Sequence, residues 1–115
     1  MNAAADQPLP KPGQEKVLHV LTKLLNHNEE QALVPDLEAR AAKGRETYGS
    51  DLMTHNGRSA LMDWYQEALD GCMYGAQLFL ETNSMQAFNL FYDQVRLAYE
   101  LKIQLNIASN QEREG

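Results

Sequence analysis

Between residues 59 and 82 apolar side chains recur at helical spacing without interruption, and this run fixes the class of fold. At about 100° per residue, Leu61, Trp64, Ala68, Cys72, Gly75, Ala76 and Phe79 share one broad face. Asp63, Glu67, Asp70, Tyr74, Gln77 and Glu81 share the opposite one. A helix so clearly two-sided must bury its apolar face against other elements. The strongest turn signal, Asn56-Gly57, has no alternating strand pattern on either side, which disfavours a β-hairpin. The partners are therefore other helices.

Three further helices are legible. The first spans residues 14–25, where Val17, Leu18, Leu21, Leu24 and Leu25 make one apolar face. It ends at Asn26, His27 and Asn28, whose short polar side chains compete for backbone hydrogen bonds. The second spans 35–48. Pro35 suits its first turn and Asp36 its positive end. Gly44 weakens its interior or permits a close backbone approach. Gly49 can end it in a left-handed cap. The connection over 49–59 carries the Asn56-Gly57 turn, with Leu52 and Met53 as anchors. The last helix spans 85–107 after a possible cap at Thr82, Asn83 and Ser84. Its apolar residues, from Met85 and Phe88 to Ile103 and Ile107, cover more than one side. Such an excess suggests a second partner surface, most simply another copy of the chain. The fold class is all-α, a compact bundle of about four helices that is oligomeric. Residues 1–13, with Pro8, Pro10 and Pro12, read as a flexible arm. Residues 14–108 form a single helical domain, and residues 109–115 a frayed tail. Met53, Met62, Met73 and Met85 read as packing residues, and Tyr48 as a ring that closes the core or stacks on a base.

Charge and cysteine usage narrow the function classes. Ten Lys and Arg stand against sixteen Asp and Glu, a formal net charge of -6. So acidic a chain is repelled by a phosphate backbone, which argues against non-specific nucleic-acid binding. The single cysteine, Cys72, makes neither an internal disulfide nor a structural zinc site and reads as a packing residue. No stretch is long and apolar enough to span a bilayer, and no signal-peptide block is seen. The expectation is a cytoplasmic protein. His19, His27 and His55 lack metal-ligand spacing, and no phosphate-cradling glycine motif occurs.

The chemistry that remains lies on the third helix and the loop before it. Asp63, Glu67 and Asp70 are spaced four and three apart, which stacks three carboxylates on one face. Their mutual repulsion is relieved either by water or by a divalent cation, and Mg²⁺ or Mn²⁺ suits such oxygen ligands. Lys43, Arg45 and Arg58 flank the connection over 49–57 that precedes this helix, where arginine can hold a phosphate through two parallel hydrogen bonds. Asn56 either orients a ligand or caps its own turn.

Residues 40–49 (Arg-Ala-Ala-Lys-Gly-Arg-Glu-Thr-Tyr-Gly), with Asn56-Gly-Arg-Ser-Ala60 and Asp63-Trp-Tyr-Gln-Glu-Ala-Leu-Asp70, resemble a group of small phage and prophage proteins. That group is loosely similar to the MazG-like, all-α nucleotide pyrophosphohydrolases. The resemblance covers roughly residues 36–81. Those enzymes hold magnesium with two acidic helix motifs. Glu67 and Asp70 match the second, a Glu-x-x-Asp pair. The first, Glu-Glu-x-x-Glu, is incomplete here. Glu29-Glu30 lacks the third Glu and precedes Pro35, while Glu38 and Glu46 lie on the earlier helix without completing the motif.

The resemblance implies a Mg²⁺-dependent nucleoside triphosphate pyrophosphohydrolase. Glu67 and Asp70 would hold the metal with Asp63 third, and Glu38 or Glu46 would supply the missing carboxylate. Arg58 or Lys43 would steady the phosphates. It also implies a dimer or tetramer. The incomplete first motif leaves an alternative open, a non-catalytic helical oligomer that binds a host protein or a signalling nucleotide.

Overall fold

The computed structural model describes residues 11–25 and 27–114, so the expected arm up to Pro10 lies outside the described residues. It is all-helical, with no strand among those residues. In chain order the helices are α1 (Val17–Leu24), the single-turn α2 (Asn28–Gln31), α3 (Val34–Tyr48), α4 (Ala60–Thr82) and α5 (Met85–Glu114). Where one domain over 14–108 was expected, the chain clusters into two compact units divided between Arg58 and Ser59.

The first unit is built on α1 and α3. α1 starts three residues later than the sequence pattern suggests, because Gln14 to Lys16 make hydrogen bonds to the loop instead. The Val17 N–H donates to the Leu52 carbonyl (3.0 Å), and the Thr54 N–H donates to the Glu15 carbonyl (2.8 Å). The extra turn α2 forms just past the polar break, with Glu30 Oε1 accepting from the His27 N–H at 3.4 Å. α3 begins with Pro35 in its first turn and ends at Gly49, whose φ of 82° supplies the left-handed cap. In the following loop Asn56 Oδ1 accepts from the Arg58 N–H at 3.0 Å, an Asx turn completed by Gly57 at φ 84°. Of Asn56's two expected roles, the turn role is the one seen. Val17, Leu18, Leu21, Leu37 and Ala41 are half-buried, and no described residue of this unit is fully buried.

The second unit is an antiparallel hairpin of α4 and α5. Ser59 caps α4, its Oγ accepting from the Met62 N–H at 3.1 Å. Asn83 closes that helix in the left-handed region (φ 52°). Ser84 then opens α5, with Oγ accepting from the Ala87 N–H at 3.2 Å. α5 passes its expected end at 107 and runs to Glu114, since no Gly or Pro interrupts it and Ala, Gln, Glu and Arg favour helix. The core is a seam of small side chains. Ala68, Ala98 and Leu101 are buried, packed by Leu61, Tyr65, Cys72 and Leu97. Phe79 meets Phe88 edge-on, with ring centroids 5.2 Å apart.

This seam corrects two expectations about side chains. Trp64, placed on the packed face by its angle, is 55% exposed. It is the neighbouring Tyr65, with Leu61, Cys72 and Leu97, that packs against Ala68, Ala98 and Leu101. Met62, Met73 and Met85 are likewise exposed rather than packed. Cys72 does pack against the core. The close approach expected at Gly44 occurs instead at Gly75, where an added Cβ would lie 3.1 Å from Phe91 Cα and 3.2 Å from its Cβ. At Gly71 it would meet only the mobile amide end of Gln94. Among the described residues no helix is long and apolar enough to cross a membrane.

The two glycines therefore respond in opposite directions. Gly71→Ala gains helix propensity and raises stability by about 0.5–1 kcal/mol, since Gln94 can swing away. Gly75→Ala makes the same gain but forces the backbones apart, at about 1–3 kcal/mol, a net loss. Thermal unfolding of both variants checks the pair, and an equal rise in Tm would show that the seam is not tight at Gly75.

Candidate functional site

A cleft of about 810 Å³ lies within the first unit, between α1, α3 and residues 50–52. Asp51 holds its walls together. One carboxylate oxygen lies 3.0 Å from Lys16 Nζ and the other 3.0 Å from an Arg45 guanidinium nitrogen. The hydrogen-bonded Lys16 ammonium is the main influence keeping the Asp51 carboxyl below the usual carboxylate range. Partial burial opposes it, and Arg45 adds to it. A loop residue thus ties the residue before α1 to the last turn of α3.

The lining is cationic in an acidic chain. Lys16, Arg40, Lys43 and Arg45 face it against two carboxylates, Glu38 and Asp51. Lys16 and Arg45 are engaged by Asp51, whereas Lys43 makes only a solvent-exposed 3.6 Å contact with Glu46. Arg40 has no ion pair among the described residues. Tyr48 stands on the wall, 38% exposed, so the ring borders the cleft rather than closing the core. Beside it Ser50 carries a buried Oγ with no hydrogen-bond partner among the described residues. Such an orphan costs about 1–3 kcal/mol unless something satisfies it.

The sequence-predicted site residues thus divide between the units. Glu38, Lys43, Arg45 and Tyr48 come together around the cleft. Glu46 lies on the same helix, exposed to solvent, with a carboxylate oxygen 3.6 Å from Lys43 Nζ. Asn56 and Arg58 belong to the Asx turn. Asp63, Glu67 and Asp70 follow one another along α4 in the second unit, with Glu67 and Asp70 exposed. Among the described residues no three or more of His, Cys, Asp and Glu come together as a metal site.

Four cleft residues escaped the sequence reading. Arg40 was within reach, since positions 40, 43 and 47 share a face of α3. Lys16, Ser50 and Asp51 gave no signal, because their meeting depends on the loop folding back against the start of α1.

Compared with protein-family models, curated proteins and solved structures, the chain matches none.

The Asp51 contacts set a pH dependence. A lowered folded-state pKa contributes stability above the ordinary aspartate value of about 3.9, and that contribution is lost as pH falls through the lowered one. Both cations are about half exposed, so solvent screening keeps the two pairs together to about 1 kcal/mol at pH 7. Asp51→Asn is expected to be less stable than the parent by that amount at pH 7 and to converge on it at an acid pH below the lowered Asp51 value. Urea unfolding at the two pH values measures this, and equal stability at pH 7 would remove Asp51 as a fastener.

Proposed function

We propose that this protein binds a phosphate-bearing nucleotide in the α1–α3 cleft and acts as a non-catalytic helical oligomer. The carrying observation is the grouping of Arg40, Lys43 and Tyr48 around one cleft with an excess of positive charge, in a chain whose net charge is -6. The volume of about 810 Å³ is within the range of small-molecule sites. Arg40 and Lys43 suit the phosphates, the guanidinium through paired hydrogen bonds and the ammonium as a point charge. Tyr48 offers an exposed ring face to a base, and Val17, Leu18 and Leu21 line the apolar side. The Ser50 hydroxyl is a ready polar contact. Self-association is supported by the large apolar side chains left exposed along both α4 and α5.

Titration calorimetry with nucleoside mono-, di- and triphosphates and cyclic dinucleotides tests the binding. At least one should bind, more weakly at higher salt, and Arg40→Ala or Lys43→Ala should weaken it about tenfold. Ser50→Ala should weaken binding too, while leaving the ligand-free protein as stable as before or more so, because it removes an unsatisfied hydroxyl. No binding by any member of the panel would refute this reading.

A second reading, the Mg²⁺-dependent pyrophosphohydrolase, is favoured by Glu67 and Asp70. They are exposed, one helical turn apart, and without an ion pair among the described residues. It requires pyrophosphate release from dNTPs or NTPs with Mg²⁺ or Mn²⁺, abolished by Glu67→Gln. Binding without release leaves the first reading alone standing.

A further inference from the structure

The hairpin of the second unit has a second apolar stripe on each helix, distinct from the seam that joins them. On α4, positions 62, 66, 69, 73, 76 and 80 alternate steps of four and three. Four of them, Met62, Leu69, Met73 and Leu80, are large apolar residues left 40–73% exposed. On α5, positions 85, 88, 92, 95 and 99 repeat the same alternation. There Met85, Tyr92, Val95 and Tyr99 are 36–67% exposed, and Tyr92 stacks on Phe88 at 6.5 Å. Each stripe lies about 100° from the seam in the same rotational sense about its own helix. Because the helices are antiparallel, equal rotations carry both stripes to the same side of the hairpin. Spacing of three and four is what a helix needs to seat knobs into a neighbour's holes.

We infer that this face packs against the same face of a second copy, forming an antiparallel four-helix bundle with a two-fold axis along the helices. The inference rests on the self-association in the proposed function and specifies its interface. Three observations select a second copy. The eleven stripe positions contain no charged residue that would recognise a different charged partner. The stripe on α4 is about 27 Å long at 1.5 Å per residue. Two helices about 10 Å apart then give a flat footprint of about 500 Å² per copy. The accessible surface of so uneven a face is larger than its projection and approaches the roughly 800 Å² per partner typical of stable complexes.

The third observation is charge. Within one hairpin Gly75 lies level with Phe91, and Gly71 with Gln94. By the same register Asp70 lies level with Arg96. A two-fold axis along the helices keeps every residue at its height and lays α4 of one copy over α5 of the other. Asp70, on the rim of the α4 stripe, then stands beside Arg96 of the second copy, and the contact occurs twice. Arg96 has only a 4.0 Å exposed contact with Glu100 in its own chain, and Asp70 has no ion pair there among the described residues.

Sedimentation equilibrium, with helicity followed by circular dichroism, tests this. The parent should have twice the 13.0 kDa chain mass. Met73→Glu should be a helical monomer, whereas Leu90→Glu, on the other side of α5, should remain a dimer. Asp70→Arg and Arg96→Asp should each weaken the dimer about tenfold, and the double reversal should restore it. A monomeric parent would refute self-association itself. A dimer broken by Leu90→Glu and not by Met73→Glu would refute this face alone. Failure of the double reversal to recover would refute the two-fold arrangement, and it remains informative if Met73→Glu does not fold. Nucleotide binding is measured separately and survives any of these outcomes.

Discussion

The close contact between α4 and α5 is the constraint on which the second unit depends. Ala68, Ala98 and Gly75 let the two backbones approach until Phe91 leaves no room for a methyl group at Gly75. Such a seam is tight but narrow. It buries little beyond Ala68, Ala87, Ala98 and Leu101, and at about 25 cal/mol per Å² alanines contribute modestly. The larger side chains are displaced to the flanks of the hairpin. The exposed methionines, leucines and tyrosines therefore follow from the small residues in the seam. A two-helix unit with so little buried surface is marginal by itself, which is a physical reason for its outer face to find a partner.

The first unit is held differently. No described residue in it is fully buried, and its joints are polar: the Asp51 bridge to Lys16 and Arg45, and the hydrogen bonds pairing residues 14–17 with 52–55. Polar, half-exposed joints resist local opening less than a packed core does. The cleft sits among these joints. A ligand that bridges α1 and α3 would stabilise the unit by mass action, by more the tighter it binds.

Most of the fold was legible because it is local. The face of α4, the Ser84 cap, the Gly49 stop and the Asn56-Gly57 turn each follow from residues a few positions apart. What was not legible depends on meetings between distant segments. Trp64 belongs to the apolar face by angle, and the way α5 lies on α4 centres the seam on Tyr65 and Ala68 instead. Tyr48 suits either a core or a stacking base by its chemistry, and only the fold puts its ring at the edge of a cleft. Of the candidate residues, Glu38, Lys43, Arg45 and Tyr48 line one cleft. Lys16, Ser50 and Asp51 join them only because residues far along the chain fold back. The second stripes on α4 and α5 were in the sequence throughout. Their spacing is masked on α4 by Gln66 and Ala76, and on α5 by the stronger signal of the seam beside them.

Charge sets the two proposed activities against each other in one measurable respect. Each copy carries a formal net charge of -6, so two copies repel before their apolar faces meet. An interface made of uncharged stripes avoids adding to that repulsion, and the two Asp70–Arg96 contacts at its rim are too exposed to dominate it. Added salt, which shortens the Debye length to about 8 Å at physiological ionic strength, should therefore strengthen self-association. The cleft works on the opposite sign, drawing an anion towards Arg40 and Lys43, and salt should weaken that attraction. Opposite salt dependences, measured on the same protein, would separate assembly by apolar contact from ligand capture by charge. If both weakened together, charge pairing rather than the apolar face would be holding the copies.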